Sequence, residues 1–177
     1  MITALLLAAA LPFPLDNGAS WVYREAYTEK RRGLDAITEE ETRFEVRHGP
    51  RQILVVQSGG ADPAGAVPVE LGPDFVHLGP WTGDEALPLP LEVGRSGPAE
   101  EDRAAWVVEA LEGVNVPAGA FTAFRCALRT WRSESLLWIA PGVGVVKETI
   151  GVPGQRPEIE RVLLRATTIG HSASPPP

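Results

Sequence analysis

Apolar and polar positions alternate with period two along much of the chain, and Gly or Pro interrupts the pattern at short intervals. Period two is the mark of a strand with one buried face. In the segment Trp21 to Tyr27, Trp21, Tyr23 and Tyr27 share one parity, with Glu25 as the exception on that face. Leu34 to His48 splits more sharply. Glu39, Glu41, Arg43, Glu45 and Arg47 take one parity, and Thr38, Glu40, Thr42, Phe44 and Val46 take the other. That pattern predicts a half-buried antiparallel strand with a charged, wet face. Lys30-Arg31-Arg32-Gly33 reads as the hairpin turn between these strands. Gly49-Pro50-Arg51 reads as the turn into a short apolar strand, Gln52 to Gln57.

The longest patterned stretch is Val114 to Lys147. It reads as strand, Pro-Gly turn, long strand, hairpin, strand, Pro-Gly kink and strand. Within Phe121 to Trp131, Phe124, Cys126 and Leu128 are expected on one face. Arg125 and Arg129 are expected on the other, beside Phe121 and Trp131. Leu136 to Ile139 should pair back on this strand. Gly142 and Gly144 permit a bend or bulge where the sheet curls. Val145 to Ile150 continues the sheet, and Gly151 to Pro157 turns it. Ile159 to Thr168 is the last expected strand, with Val162, Leu164 and Ala166 inward and Arg161, Leu163 and Arg165 outward.

Other stretches are less regular. Val67 to Trp81 is punctuated by Pro and Gly, with Phe75 to Leu78 as one short strand. Leu87-Pro88-Leu89-Pro90-Leu91-Glu92-Val93-Gly94 alternates Leu with Pro. Pro lacks an amide donor, so this piece should run extended along an edge or rim. It could also serve as a recognition segment for an aromatic groove. Ser96 to Ala104 suggests a turn or one helical turn, followed by strand to Leu111, with Gly113 marking a bend. The expected fold class is mainly β. A strongly curved antiparallel sheet forms a half-open or incomplete barrel with few short helices. Residues 1–10 read as a signal-like segment, 11–170 as a single β domain, and 171–177 as a disordered Pro-rich tail.

Composition narrows the functional classes. The chain of 177 residues can bury a real core, and its 18 Gly and 17 Pro favour short strands over long helices. A formal net charge of -7 argues against a nucleic-acid partner and disfavours an anionic membrane surface. The apolar start Met1 to Ala10, with small residues Ala8, Ala9 and Ala10, points to periplasmic or extracellular export, although it lacks a basic n-region. It is too short and too interrupted to span a bilayer. No cysteine lies near it, so a lipid-anchored amino terminus is not supported.

The single cysteine, Cys126, excludes an intramolecular disulfide and reads as a small buried hydrophobe. His77, flanked by apolar residues, reads as a structural histidine, because His48 and His171 are distant in sequence. Glu39, Glu41 and Glu45 share a face at a spacing that two catalytic carboxylates could use. The alternation of sign along that face is instead what a solvated strand shows. The Gly-rich stretch Ser58 to Ala66 lacks the strand, helix and Lys of a phosphate cradle. No cofactor, metal or catalytic residue is implied.

Four pieces carry a resemblance. They are Leu15-Asp16-Asn17-Gly18-Ala19-Ser20-Trp21-Val22-Tyr23, the Leu-Pro segment Leu87 to Gly94, Val114-Asn115-Val116-Pro117-Ala118-Gly119-Ala120-Phe121, and Leu137-Trp138-Ile139-Ala140-Pro141-Gly142-Val143-Gly144-Val145-Val146-Lys147. Together they resemble a recurring pattern of bacterial exported proteins with no assigned activity, VxVPAGxF followed by APGVGVVK. Such proteins are similar to the half-open β-barrel class of the outer-membrane lipoprotein carrier, the LolA and LolB fold. The resemblance implies a curved sheet around an apolar cavity, and some members of the class carry lipidated or apolar cargo. This chain departs from it in having little amphipathic helix to act as a lid.

Three functions remain open. The first is an exported, non-enzymatic protein that holds an apolar or lipid-like ligand in its concave sheet. Trp21, Tyr23, Trp106, Phe121, Arg125, Arg129, Trp131 and Trp138 are the candidate ligand-binding residues. The Arg125 and Arg129 face is either wet or lines the mouth of the pocket. The second is a structural or protein-interaction module of the cell envelope with no small-molecule ligand. The third, a hydrolase, would need a nucleophile–base or carboxylate pair in a cleft, and no such motif occurs.

Overall fold

A computed structural model describes residues 13–31, 34–59, 65–98 and 104–167. The strands are β1 (Ser20–Arg31), β2 (Leu34–His48), β3 (Ile53–Gly59), β4 (Ala66–Leu71), β5 (Phe75–His77), β6 (Leu87–Pro88), β7 (Val107–Val116), β8 (Gly119–Arg129), β9 (Glu134–Ala140), β10 (Gly144–Gly151) and β11 (Ile159–Thr167). They form an 11-stranded antiparallel sheet in the order β6-β5-β4-β3-β2-β1-β11-β10-β9-β8-β7. The fold class is therefore the expected one, a strongly curved sheet, and no helix occurs among the described residues.

The two edges of the sheet almost meet. After β6 the chain runs beside the start of β7. Gly94 N donates to Val108 O at 2.7 Å, Val108 N to Arg95 O at 2.9 Å, and Gly97 N to Trp106 O at 2.8 Å. This pairing blunts both edges and turns the sheet into a nearly closed barrel. Pro88 and Pro90 can stand here because the outermost strand needs few amide donors. Leu87, Leu89 and Leu91 are all buried.

The barrel interior holds a single apolar cluster drawn from strands on both sides. It includes Trp21, Tyr23, Phe44, Val46, Val55, Val76, Val108, Cys126, Leu137, Ile139 and Leu163. Alternation explains most of it. Thr42, Phe44 and Val46 are buried on β2, while Glu41, Arg43 and Arg47 are exposed, as their parity predicts. Cys126 and Leu137 are register partners that face inward, and Arg125 and Trp138 are partners that face outward.

Three expectations need correction. On β11 the inward residues are Leu163, fully buried, and Arg161, whose side chain is 13% exposed. Val162 and Leu164 are not inward, and Ala166, past the shift, pairs with the inward Trp21 but is exposed. The ladder shifts between Val22 and Tyr23, so that Tyr23 pairs with Leu163 and Val22 with Arg165. Arg161 turns inward because two buried carboxylates receive it, and the shift at Leu164 then sends Arg165 outward. Gly113 makes no bend, because β7 runs unbroken through it and the irregularity lies between Val108 and Ala110. Finally, β4 lies within the Pro- and Gly-punctuated stretch, where only β5 was expected. Pro68 is exposed there, and β4 pairs with β3 through Ile53↔Val69 and Val55↔Val67. The Gly33 turn, much of the helical turn expected before Ala104, the terminal signal-like segment and the Pro-rich tail fall outside the described residues.

The turn at Pro141–Val143 generates a stability prediction. Gly142 and Gly144 both have positive φ, 76° and 101°. A Cβ at Gly142 would meet nothing within 4 Å, whereas one at Gly144 would lie 3.2 Å from Trp21 Nε1. Gly142→Ala should cost only backbone strain, about 1 kcal/mol, and Gly144→Ala about 2–3 kcal/mol. Urea unfolding of both variants checks this order, and equal costs would remove the role assigned to the Trp21 contact.

Candidate functional site

The interior is arranged in two layers along the barrel axis, and β1 runs through both. Trp21 and Tyr23 stand in the first layer, and Glu25 in the second.

The first layer is aromatic. Phe44 and Trp81 lie with ring centroids 4.8 Å apart, Trp21 and Trp81 at 5.6 Å, and Tyr23 and Phe44 at 5.6 Å. The last two contacts are edge-to-face, the arrangement favoured by ring quadrupoles. The polar ends of this layer reach the Pro141–Val143 turn and β10. Trp21 Nε1 donates to Val143 O at 2.6 Å, and Tyr23 Oη donates to Val145 O at 2.6 Å. The first bond holds the turn over the end of the interior, and the second ties Tyr23 to the start of β10. Burial, and then the nearby Glu148 charge, push the Tyr23 phenol well above its ordinary range, so it remains a donor.

Trp81 is different. It sits in the connection between β5 and β6, with Thr82 beside it. The Thr82 hydroxyl accepts from Leu78 N at 3.0 Å, and its carbonyl accepts from Trp106 Nε1 at 3.4 Å. Trp81 itself is 5% exposed, and its buried Nε1 has no hydrogen-bond acceptor among the described residues. A buried donor left unmatched is costly and uncommon in native proteins.

The second layer is ionic. Glu148 on β10, Arg161 on β11 and Glu25 on β1 are direct register partners across three strands. Arg161 Nε donates to Glu25 Oε1 at 2.8 Å, and Arg161 Nη1 to Glu148 Oε2 at 2.6 Å. The Thr42 hydroxyl donates to Glu25 Oε2 at 2.6 Å. Burial pushes the Glu25 carboxyl up, but hydrogen bonds from Arg161, Thr42 and Tyr27 outweigh it and hold the group below its usual value. Glu148 has fewer donors. Its burial outweighs the attraction of Arg161, and its carboxyl is raised.

At the same end of the sheet as the Pro141–Val143 turn, β10 separates from β11 beyond Lys147↔Val162. The tip of the β7–β8 hairpin occupies that place, with Ala118 N donating to Leu163 O at 3.0 Å. Val114, Val116, Ala118 and Phe121 are half-buried against the core. A β-hairpin, not a helix, thus covers this end. Two of the four motifs that carry the sequence resemblance, Val114–Phe121 and Leu137–Lys147, form the two covering turns.

The eight candidate residues fall into separate groups. Trp21, Tyr23 and Trp106 are buried in the interior, and Phe121 packs on the covering hairpin. Arg125, Arg129 and Trp138 lie on the outer face, where acidic partners engage them. Arg125 Nη1 lies 3.4 Å from Glu112, Arg129 pairs with Glu109 and Glu134, and Trp138 Nε1 donates to Glu112 at 2.8 Å. Trp131 is 82% exposed at the β8–β9 tip, with the Arg132 guanidinium 3.8 Å from its ring centroid. The sequence reading passed over Trp81, Glu25, Glu148 and Arg161 as a set. The Glu25 exception to the aromatic face was the one local signal for them. Burial, with the Glu109 charge adding to it, pushes the Cys126 thiol up to about 12, in keeping with an inert core residue.

Among the described residues no group of three His, Cys, Asp or Glu side chains could hold a metal ion, and no helix is long and apolar enough to cross a membrane. No protein-family model and no curated protein matches the chain. Two crystal structures share its fold. One is a protein inferred to be exported, with a YmcC-like fold, from Bacteroides fragilis NCTC 9343. It has a TM-score of 0.54 and 14% identity, and the alignment covers 88% of this chain and 98% of that one. The other is an inferred lipoprotein from Parabacteroides distasonis ATCC 8503. It has a TM-score of 0.55 and 15% identity, with 89% and 99% covered.

Replacing Arg161 tests the ionic layer. Arg161→Met leaves two buried carboxylates without their cation and should cost about 3–5 kcal/mol at pH 7. In the native protein the lowered Glu25 contributes stability above its unfolded pKa and loses it in acid. The raised Glu148 does the reverse: its contribution is present below its unfolded pKa and lost as pH rises through the folded one. Without Arg161 both carboxyls are of the second kind. The cost of the substitution should therefore be smaller at pH 5 than at pH 7, as measured by urea unfolding at each pH. A cost independent of pH would show that the layer is not held by charge.

Proposed function

We propose that the protein acts outside the cytoplasm as a non-enzymatic binding protein. Its ligand is apolar or lipid-like and enters the barrel beside Trp81. The observation that carries this reading is the Trp81 indole N–H, buried in an aromatic interior with no acceptor among the described residues. A ligand with an apolar chain and one carbonyl, carboxylate or ester oxygen would match both the rings and the donor. The covering hairpin and the Pro141–Val143 turn are held by a few hydrogen bonds, so entry would require only local opening. Export is supported by the apolar start of the chain and by the likeness in fold to a protein inferred to be exported. The nearly closed barrel agrees with the lipoprotein-carrier class that the sequence motifs resemble, and carriage of lipid by this chain is part of the proposal.

A second reading follows from the same interior. Trp21, Tyr23, Phe44 and Trp81 fill the barrel with side chains, as a solid structural core would. An envelope interaction module with no small-molecule ligand needs nothing more than this.

Native mass spectrometry of mature protein from the envelope fraction of its own host separates the two. The ligand reading expects a retained mass that extracts into organic solvent. It also expects the Trp emission of the delipidated protein to change when fatty acids or phospholipids are added, and Trp81→Phe to weaken uptake by about tenfold, the equivalent of one lost hydrogen bond. A clean apo mass with no uptake would leave the interaction module as the function.

A further inference from the structure

The outer face of β1, β2, β3 and β11 carries a groove of about 290 Å³, which Thr42 also lines although its hydroxyl turns inward to Glu25. Its floor is a cross-strand row. Ser58 is the register partner of Arg43, Arg43 of Val22, and Val22 of Arg165. Alternation puts these residues on the face opposite Tyr23 and Phe44. Val22 is only 8% exposed, although it points away from the core, because longer side chains stand around it. Arg43 and Arg165 are separated by one strand, so their backbones lie about 10 Å apart. The hydroxyl residues Ser20 and Thr167 form the next register pair along the same face. The shift in the β1–β11 ladder falls at Val22, and such irregularities locally twist and re-aim the chain.

The charges in the groove are unequal. Arg43 Nη2 lies 3.0 Å from Glu45, which is not part of the lining. Among the described residues Arg165 pairs with Glu41 alone, at 3.7 Å, with both side chains more than 60% exposed (67% and 63%). That distance is too long for a direct hydrogen bond, so the pair is weak and readily parted. Two guanidiniums flank a small floor with hydroxyls nearby, and one carboxylate stands at the side.

We propose that this groove binds a small zwitterion of the phosphoethanolamine class. The phosphoryl group sits over Val22 between Arg43 and Arg165, and the ammonium meets Glu41. Arg side chains suit phosphate because their planar donors match its oxygens. Glu41 would oppose a bare anion but favours one that carries its own cation. The source is either a lipid headgroup or a free phosphoester. The groove lies on the far side of the sheet from Trp81, so the proposal stands or falls independently of the interior reading.

The test is an amide NMR titration of the labelled protein with O-phosphoethanolamine, inorganic phosphate and a short-chain phosphatidylethanolamine below its micellar concentration. Saturable shifts at Val22, Ser58 and Thr167 are expected with O-phosphoethanolamine, and weaker ones with phosphate. Arg43→Gln and Arg165→Gln should each weaken binding about tenfold, a loss in keeping with one charge-assisted contact. Glu41→Gln should abolish the preference over phosphate. Tighter binding of the short-chain lipid assigns a lipid source, and tighter binding of the free compound assigns a soluble phosphoester. Shifts that persist in the Arg43→Gln, Arg165→Gln double variant, or phosphate bound as well as phosphoethanolamine, would overturn the assignment. So would no saturable shift at all. Arg132→Gln, on the distant β8–β9 tip, serves as the charge control.

Discussion

Arg161 is the constraint on which the rest of the barrel depends. Its guanidinium joins a carboxylate on each neighbouring strand, Glu25 on β1 and Glu148 on β10. Those strands come from opposite ends of the chain, and the Glu25 contact spans 136 residues of sequence. A slip of one residue in either ladder would move Arg161 to the outer face and leave Glu25 and Glu148 buried without a cation. An apolar core tolerates small slips more easily, since one aliphatic side chain can stand in for another. The ionic layer thus adds specificity of register where the chain must join its first strand to its last. It adds little net stability, because three desolvated charges offset most of their mutual attraction. The shared cation is also divided unequally. Thr42, Tyr27 and Arg161 support Glu25, while Glu148 is left with the raised carboxyl.

Much of this architecture can be read from single residues. The β2 parity was legible because its two faces differ in every respect: Glu41, Arg43 and Arg47 against Thr42, Phe44 and Val46. The edge position of Leu87 to Pro90 followed from the missing amide donors of Pro88 and Pro90. The bend at Gly142 and Gly144 followed from two glycines after a proline, and the outward position of Arg125 and Arg129 agrees with their parity. The inward turn of Arg161 was not legible. A local reading sends an arginine to water, and only the fold reveals that Glu25 and Glu148 arrive on either side of it. Glu25 was anomalous within its own strand, but its partner lies too far along the chain for spacing to name it. Pro68 hid β4 in the same way, since its tolerance in a strand depends on which neighbour takes each amide.

The site was less legible than the fold for a related reason. Aromatic residues at strand positions mark an interior, yet period two does not say which of them touch. Trp21 and Tyr23 were found on parity alone. Trp81 comes from a turn, where no period applies, and it completes the aromatic layer. Its position depends on Thr82, which anchors Leu78 on one side and Trp106 on the other. Trp131 and Trp138 share the composition of the inner tryptophans but stand on the outer side of the sheet. There Arg132 and Lys147 lie against their rings.

The covering elements link the motifs to the interior. The VNVPAGAF segment supplies the tip whose Ala118 bonds β11, and the APGVGVVK segment supplies the turn that Trp21 and Tyr23 hold from below. The Pro141–Val143 turn is therefore tied directly to the aromatic layer, through Trp21. Displacing Trp21 would weaken the hold on the Pro141–Val143 turn, and opening that turn would expose its indole N–H to water. In this arrangement the rings of Trp21, Tyr23, Phe44 and Trp81 are in contact, and the turn sits against the Trp21 indole. Gly144 has no side chain to separate the turn from Trp21, which allows that contact to form. A barrel filled by its own aromatic side chains needs no helical lid, because those side chains exclude water and Trp21 holds the closing turn.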